Sequence, residues 1–352
     1  NVGDIPCYGS GGLMRRVNEV LYDKPSVLIP RKGTLSNLFF VEEPFWTVDT
    51  LFYTKINSSK ITPKYLFYKL KTYDLESLNV GSAVPSLTTS VLNQFPFSIP
   101  TIPEQKTIAK VLTAFDDKIE LLQAQNKTLE TMAQTIFKEW FGKYQIGDEL
   151  PKGWKFGCLG DVAVNNSKTF KFKDKKVVFI NTGDVLEGEF LHKNEISPVG
   201  LPGQAKKAIE LHDILYSEIR PKNKRFAFVN FDTSNYVVST KFMIIRPQFG
   251  FSPFILYLIL KNQATINEFN SIAESRSGTF PQITFDSIKD FPIVIPTNEY
   301  KQQFEEILKP IMSKQKANND QLQSLTKTRD TLLPKLMSGQ VRVNNIKQTA
   351  DA

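Results

Sequence analysis

The sequence is poor in the residues that most often form metal sites and disulfides, since its 352 residues include two cysteines and two histidines. Cys7, Cys158, His192 and His212 lie far apart and have no metal-ligand spacing, so the sequence predicts no metal site. With so few cysteines, both thiols are expected to be free. This usage is typical of a reducing compartment, which predicts a cytoplasmic protein.

Long apolar runs are also missing, because none approaches the roughly 18 residues that cross a bilayer. Hydrophobic residues make up 41% of the chain and charged residues 23%. This composition is typical of a folded globular protein, and the length allows two or three domains, each with its own core.

The motifs of several enzyme classes are absent. The sequence has no Asn-Pro-Pro-aromatic motif for base methylation, no G-x-x-x-x-G-K-[ST] phosphate loop, and no Pro-Asp dipeptide of the common metal-dependent nucleases. The nearest approach to a dinucleotide-binding motif, YGSGG at Tyr8–Gly12, lacks the third glycine at the required offset. The sequence therefore predicts a binding protein, not an enzyme, and no cofactor in this chain.

What the sequence has is positive charge, a formal +8 with an isoelectric point near 9.2. Such a charge favours an anionic partner, although it also serves solubility. The basic excess is spread along the chain, so a binding site must come from local clusters.

A repeat organises the chain, because FPFSIPTIPEQKTIAKVL at 95–112 returns as FPIVIPTNEYKQQFEEIL at 291–308. Each copy follows predicted strands, a short helix and a turn before a proline, GSAVPSLT or SGTFPQIT. The predicted strands are 27–30, 45–56, 175–180, 213–219 and 235–247, and the predicted short helices are 63–71 and 252–262. The order predicts an α+β fold of two tandem mixed domains, each followed by a long helix.

Apolar residues in both long helices follow alternating steps of four and three, a heptad pattern. The predicted packing positions are Ile108, Leu112, Phe115, Ile119, Leu122, Leu129 and Ile136 in the first helix, and Phe304, Leu308, Ile311, Leu322, Leu325, Leu332 and Leu336 in the second. The shared spacing predicts an antiparallel coiled coil of helices of about 38 residues, roughly 57 Å long. Asn126 would fix the register, and Pro310 and Pro334 should kink or shorten the second helix.

The chain resembles the specificity subunit of Type I restriction–modification systems over essentially its whole length. The resemblance is carried by IPTIPEQKTIAKVLTAFDDKIELL (99–122), GWKFGCLGDVA (153–163) and LLPKLMSGQVRV (332–343), together with the duplicated turn and sheet exit. It implies a first target-recognition domain at 1–100, a spacer helix at 101–147, a second recognition domain at 148–296, a spacer helix at 297–340 and a tail at 341–352.

The resemblance also implies the function. Each domain would read one half of a split double-stranded DNA target, and the non-catalytic subunit would join two methyltransferase subunits, to which restriction–translocase subunits can attach. S-adenosylmethionine and ATP would be bound by those partners. In one departure, about 30 residues, roughly 148–176, precede the strand that matches the IPCYGSGG stretch near residue 5, and the first half has no equivalent. We therefore expect the first domain to lack N-terminal residues and to have an open sheet edge.

Lysine, arginine and small polar residues in loops are the candidates for DNA contact, because they neutralise phosphates and bind base edges. The candidates are Tyr8, Ser10, Gly11, Arg15, Arg16, Arg31, Lys32 and Thr34 in the first domain, and Lys168, Lys171, Lys173, Lys175, Lys176, Asn181, Thr182, Arg220, Lys222, Asn223, Lys224, Arg225, Lys241, Arg276 and Ser277 in the second. The loops RPKNKR and IPRKGT are predicted counterparts, as are YGSGG and INTGDV. The glycine-rich stretches also fit plain hairpin turns, KTFKFKDKK fits a solvated loop, and Arg276 and Ser277 fit a structural role.

Two other functions fit the same residues. The chain could be the recognition module of a fused restriction–methylation enzyme, or a coiled-coil scaffold that binds no nucleic acid. The region preceding Asn1 in the full gene distinguishes the first alternative, and the salt dependence of binding distinguishes the second.

Overall fold

The structure is a computed structural model that describes residues 3–94, 96, 98–173, 175–276 and 278–343. The chain forms two compact units. Unit 1 comprises Asn1–Ala124 and Asn319–Ala352, and unit 2 comprises Gln125–Asn318. No helix of the described residues is both long and apolar enough to cross a membrane.

Unit 1 contains two three-stranded sheets, with strand orders β2-β1-β5 and β4-β3-β6. Its strands are β1 (Ile5–Gly9), β2 (Gly12–Val17), β3 (Ser26–Pro30), β4 (Phe39–Val41), β5 (Trp46–Thr47) and β6 (Leu51–Tyr53), and its short helices are α1 (Pro63–Leu70) and α2 (Thr89–Asn93). Strand β3 is buried at every position, as its run of β-branched and aliphatic residues predicts. A tight turn joins β1 to β2, and Gly12, at φ 111°, adopts a conformation that favours glycine.

Long helix α3 (Ile102–Phe137) begins in unit 1. Pro103 lies in its first turn, as predicted, where its missing N–H removes no helical hydrogen bond. A short π-helix, Lys138–Gly142, follows α3.

Unit 2 contains two four-stranded sheets, β12-β9-β16-β13 and β15-β14-β17-β8, and the pairs β18-β7 and β10-β11. The strands are β7 (Lys155–Cys158), β8 (Ala163–Asn165), β9 (Val177–Ile180), β10 (Val185–Leu186), β11 (Glu189–Phe190), β12 (Glu195–Ile196), β13 (Ala205–Ala208), β14 (Ile214–Ser217), β15 (Phe226–Phe228), β16 (Tyr236–Ser239), β17 (Phe242–Pro247) and β18 (Pro292–Ile295). The helices are α4 (Leu159–Val162), α5 (Pro253–Lys261), α6 (Gln263–Arg276), α7 (Phe285–Ile288) and α8 (Asn298–Met337).

The two units share a plan, but unit 2 has more strands. In unit 2, β8 pairs with β17 and β7 pairs with β18. In unit 1, β6 lies at the edge of its sheet beside β3, and residues 96 and 98–100 belong to no strand. Among the described residues, β6 is therefore an edge strand, whereas its counterpart β17 is paired on both sides.

Four details differ from the sequence predictions. The predicted strand 45–56 forms two strands in different sheets, β5 and β6. Residues 235–247 form two strands in different sheets, β16 and β17, because the chain turns at Thr240. Helix α6 was not predicted, since its apolar residues are sparse. Helix α8 is not shortened at Pro310 and continues through Pro334 to Met337, for a length of 40 residues.

In each unit the segments of α3 and α8 pack against each other in opposite directions. In unit 1, the buried Ile108 and Leu112 of α3 share a core with Leu336 and Met337 of α8. Further along these segments, Arg329 Nη1 lies 2.7 Å from Asp116 Oδ1. The two segments therefore contact each other through both apolar and charged side chains within unit 1.

In unit 2, the buried Phe304 and Leu308 of α8 pack on Phe137 of α3 and Phe141 of the π-helix. The rings of Phe141 and Phe304 are 4.7 Å apart and meet edge to face. Of the predicted packing positions, Ile108, Leu112, Ile119, Leu122, Phe304, Leu308, Ile311 and Leu336 are buried, and Phe115, Leu129, Ile136, Leu322, Leu325 and Leu332 are half-buried.

Candidate nucleic-acid interface

In unit 1, three loops meet where β3 ends. Arg31 N donates to the carbonyl of Thr50 (2.8 Å), in the turn between β5 and β6. Gly33 N donates to the carbonyl of Pro85 (3.0 Å), and Leu87 N donates to the carbonyl of Arg31 (2.9 Å). The predicted basic loop is thereby held against the GSAVPS turn by backbone hydrogen bonds. The side chains of Arg31 and Lys32 are exposed, and Arg31 Nη1 also donates to the Asp49 carbonyl (3.5 Å).

The tip of the β1–β2 hairpin joins the same cluster. Ser10 N donates to Thr50 Oγ1 (3.3 Å), and Asn37 Nδ2 donates to the Ser10 carbonyl (2.8 Å). Gly33 has φ 93°, and a Cβ at this position would lie 3.4 Å from Ser10 Oγ. The left-handed φ favours glycine at residue 33, whereas the 3.4 Å separation is an ordinary van der Waals contact. Ser10 and Gly33 are therefore brought together, as a shared site requires.

Unit 2 repeats the arrangement with the same hydrogen bonds. Glu218 N donates to the carbonyl of Lys241 (3.0 Å), Arg220 N donates to that of Pro281 (3.1 Å), and Ile283 N donates to that of Glu218 (2.9 Å). The isolated bridges Lys32↔Ser86 and Ile219↔Gln282 also correspond. The loops are therefore counterparts, as the sequence predicts.

This register shows that the basic side chains themselves are not at equivalent positions. Arg31 corresponds to Glu218, Gly33 to Arg220 and Thr50 to Lys241. The basic residues Arg31 and Lys32 of unit 1 come before the aligned position at which the basic residues of unit 2 start, Arg220. The two clusters therefore have different side chains on the same backbone arrangement.

The loop after β14 is strained. Pro221–Asn223 forms one 3₁₀ turn, flanked by Arg220 at φ 44° and Lys224 at φ 52°, both left-handed. A left-handed conformation costs a non-glycine residue about 1 kcal/mol or more. Lys222 and Asn223, between them, are exposed. Strain of this kind concentrates at binding sites, where the surrounding structure holds it.

Not every candidate in this loop is available for base contact. Arg225 Nη1 donates to the carbonyls of Gly183 (3.1 Å) and Val185 (2.9 Å), and so ties this loop to the INTGDV turn. Lys224 Nζ lies 3.1 Å from Glu187 Oε1. These contacts order the site. Lys224 and Arg225 are half-buried, whereas Arg220, Lys222 and Asn223 are exposed.

The INTGDV segment is a capped 3₁₀ turn. Asn181 Oδ1 accepts from Thr182 N (2.8 Å), while Asn181 N donates to Asp184 Oδ2 (2.8 Å). His192 Nε2 lies 3.3 Å from the same Asp184 oxygen. The side chain of Asn181 is therefore used within the turn, which leaves Thr182 as the candidate on its surface.

The end of α6 joins the cluster of unit 2. Lys222 Nζ lies 3.4 Å from Glu274 Oε1, and Arg276 Nη1 lies 3.5 Å from Thr284 Oγ1. Lys241 is exposed at the β16–β17 turn, beside Glu218. Ser277 lies outside the described residues.

The lysine-rich segment 168–176 forms a different surface. Phe170 N donates to the Lys206 carbonyl (2.7 Å) beside β13, and the Phe170 side chain is buried while Phe172 is exposed. Lys168 pairs with Glu210 at 3.2 Å. The remaining lysines of the segment are exposed: Lys171, Lys173, Lys175 and Lys176. The segment is thus partly structural, and no contact described above joins it to the loop cluster.

The remaining candidates of unit 1 lie along its hairpin and loop. Arg15 and Arg16 are exposed on β2, and Arg16 Nη1 donates to the Asp4 carbonyl. Tyr8 packs beside Phe39, and burial, with a contribution from Glu43, raises the pKa of its hydroxyl. The hydroxyl therefore stays neutral at physiological pH and can donate or accept a hydrogen bond. Gly11 and Thr34 are exposed at the hairpin tip and in the basic loop.

Sequence reasoning missed Thr50 and Asn37, which hold the cluster of unit 1 together. A single threonine or asparagine in a loop carries no pattern, so no sequence signal could have identified them. Within the described parts of the chain, no three His, Cys, Asp or Glu side chains are grouped so that they could hold a metal ion.

Comparisons with known proteins agree with this arrangement of two similar units. The family model for the type I restriction modification DNA specificity domain matches residues 1–131 and 151–327. The structure is similar to the crystal structure of a type I restriction–modification S subunit from M. genitalium, with a TM-score of 0.64 at 16% identity, covering 95% of this chain and 88% of that one. This likeness concerns the fold.

Two curated relatives are similar in sequence. The type I restriction enzyme HindI specificity subunit of Haemophilus influenzae is 51% identical over 174 residues, which are 49% of this chain and 38% of that protein. The MjaIX specificity subunit of Methanocaldococcus jannaschii is 25% identical over 354 aligned positions, covering 93% of this chain and 80% of that protein. Because the family model matches most of the chain in both halves, the chain belongs to the family of type I restriction–modification DNA specificity domains.

Proposed function

We propose that this chain is the DNA-recognition subunit of a type I restriction–modification complex. Each unit reads one half of a bipartite double-stranded target, and the base pairs between the halves go unread. The family membership supports DNA recognition, and the division of labour between the units rests on their internal repeat.

The observation that carries the proposal is the loop cluster that occurs once in each unit. The same three backbone hydrogen bonds hold the loop after β3 and the loop after β14. Arg31 and Lys32 are exposed at the first, and Arg220 and Lys222 at the second. A shared frame with different side chains suits two readers of different base sequences, because base choice depends on the side chains that reach the groove.

The long helices would set the distance between the half-sites by pairing as an antiparallel coiled coil. The opposite directions of α3 and α8 within each unit support this arrangement. At 36 and 40 residues, the helices are long enough, at 1.5 Å per residue, to correspond to an unread gap of at most about 17 base pairs. Two weak readers joined in this way bind as one specific reader, since the second contact is intramolecular.

The chemistry would belong to partners. The subunit would direct two methyltransferase subunits to the target, and restriction–translocase subunits would join through that complex. S-adenosylmethionine and ATP would be bound by these partners, and this chain would contribute recognition without a catalytic group.

The test is to co-express the chain with its neighbouring methyltransferase gene and to map modified adenines by long-read sequencing. The proposal predicts one split motif, with two defined halves and a gap of fixed length. Methylation of a continuous motif, or none that depends on this chain, would contradict it. A fused enzyme module is distinguished by sequencing the gene upstream of Asn1.

A further inference from the structure

Each unit exposes one apolar side chain at the same place in its loop cluster. Val84 is 56% exposed and Phe280 is 50% exposed. Each directly precedes a proline, Pro85 or Pro281, whose carbonyl accepts a hydrogen bond from the basic loop. Both side chains therefore stand beside the candidate DNA-binding residues.

The two positions are equivalent in three dimensions as well as in sequence. Gly33 N and Arg220 N donate to the carbonyls of the residues that follow Val84 and Phe280. Two residues further on, Leu87 N and Ile283 N donate back to the same basic loops, as described above. An exposed apolar residue at one surface position is ordinary, whereas its recurrence at equivalent positions of both units suits a shared role.

The loop of unit 1 is ordered so that Val84 is held outward. Asn79 Oδ1 accepts from Gly81 N and from Ser86 N, both at 2.8 Å, and Val80 N donates to the Ser86 carbonyl (3.0 Å). A Cβ at Gly81 would lie 2.1 Å from the Val84 carbonyl, so only glycine allows this closure. A loop fixed in this way keeps its apolar side chain in water and ready for a ligand.

The charged residues that flank the two apolar side chains indicate which kind of ligand these side chains contact. Arg31 and Lys32 flank the loop of unit 1, and Arg220 and Arg276 flank that of unit 2. These groups attract phosphates, which places the apolar side chain next to the grooves of a duplex. In the major groove the only apolar group on a base edge is the 5-methyl group of thymine, which apolar side chains contact.

We propose that Val84 and Phe280 each contact the 5-methyl group of a thymine, one in each half of the target. This inference rests on the proposed DNA-recognition function and adds two specificity residues to it. It predicts that each half-site contains a thymine at a fixed position. Burial of one methyl group changes affinity about fourfold, so loss of that methyl should weaken binding by about this factor.

The experiment measures binding of the full chain, co-purified with its methyltransferase, to duplexes that carry the mapped target. In a series of probes each thymidine is replaced in turn by deoxyuridine, which lacks only the methyl group. The wild-type complex should bind one probe from each half-site about fourfold more weakly and the other probes equally well.

Two variants assign the effect. Phe280→Ala should abolish the penalty for deoxyuridine in one half-site only, and Val84→Ala should abolish it in the other. Phe249→Ala is the matched control, since Phe249 is a fully exposed aromatic residue outside the loop cluster, and it should keep both penalties. Because each variant is compared on thymidine and deoxyuridine probes, an effect on folding cancels.

The possible outcomes distinguish failure of this inference from failure of the proposed DNA-recognition function. A half-site without thymine, equal binding to all probes, or unchanged deoxyuridine penalties in both variants would overturn the inference and leave the recognition function standing. Failure of the wild-type complex to bind any duplex would overturn the recognition function, and this inference with it.

Discussion

Asn318 of α8 donates a hydrogen bond from Nδ2 to Oδ1 of Asn126 of α3, at 2.9 Å, and its side chain is buried. The sequence places Asn126 in the one polar position of an apolar seam. The structure supplies its partner from the other helix at a matching polar position. A buried polar pair of this kind fixes helix register at some expense of stability.

Replacing Asn318 with alanine should lower the free energy of unfolding by about 1–3 kcal/mol, because the amide of Asn126 loses a buried partner. The double variant Asn126→Leu/Asn318→Leu should be at least as stable as the wild type, since it replaces both polar groups by apolar ones. Chemical denaturation measures both effects. Gln323→Ala, at an exposed position of α8, is the control, and a double variant less stable than the wild type would contradict the account.

A partly buried ion pair links α5 to α3 within unit 2. Lys261 Nζ lies 2.7 Å from Glu130 Oε2, which Gln315 of α8 also approaches at 3.4 Å. Burial alone would raise the pKa of Glu130, but the charge and hydrogen bond of Lys261, with hydrogen bonds from Gln134 and Gln315, outweigh it and hold the pKa below its usual value.

Because folding lowers the pKa of Glu130, the ionised side chain stabilises the folded state at pH values above the pKa of an unfolded glutamate. Well below that pKa it contributes no stability. The contribution should therefore be complete at neutral pH and be lost as the pH falls below about 4.5. Glu130→Gln should cost about 1–3 kcal/mol at pH 7, less than for a fully buried pair because a third of the side chain is exposed.

Denaturation at a series of pH values tests this prediction. The difference between the wild type and Glu130→Gln should shrink as the pH falls through the acid range. The exposed Glu120→Gln should show no such pattern, and a difference that is independent of pH would rule out the assigned role.

The repeat, the two long helices and the pairing of loops could be predicted because they depend on periodic apolar residues and on duplicated sequence. Helix α6 was missed although its buried Ile266, Phe269 and Ala273 follow steps of three and four, because the rest of the segment is mostly polar. The division of residues 235–247 between two sheets depends on a turn at Thr240, which has no glycine or proline to indicate it.

The candidate site was predictable at the level of loops and less so at the level of side chains. Basic clusters identified the loops of Arg31 and Arg220. Hydrogen bonds to the backbone determine the role of the other side chains. Arg225 donates to two carbonyls, and Thr50 holds a loop although it belongs to no motif. Such contacts join residues far apart in sequence, where no local pattern records them.

The left-handed conformation of Arg220 predicts that replacing this residue raises stability but weakens DNA binding. Arg220→Gly should raise the free energy of unfolding by up to about 1 kcal/mol, because glycine adopts φ 44° without strain. The same change should weaken binding to the mapped target, since it removes an exposed cation. Thermal unfolding and DNA titration of one preparation measure both, and unchanged binding would mean that the strain serves another purpose.

Lys222 is expected to contact a phosphate. Lys222→Ala should weaken binding to specific and non-specific duplexes alike, and it should reduce the slope of log affinity against log salt by about one. Lys309→Ala removes the same charge from an exposed position of α8 and should leave the slope unchanged. Equal slopes in the wild type and both variants would count against contact by Lys222, and a wild type without salt dependence would favour a scaffold.

The most direct test shortens both long helices and maps the methylated sequence. Removing residues 121–124 from α3 and 320–323 from α8 deletes about 6 Å from each, or about two base pairs of duplex. The account predicts that both half-sites stay the same and that the unread gap becomes shorter. Altered half-sites with a gap of the original length would contradict the claim that two separate readers are spaced by these helices.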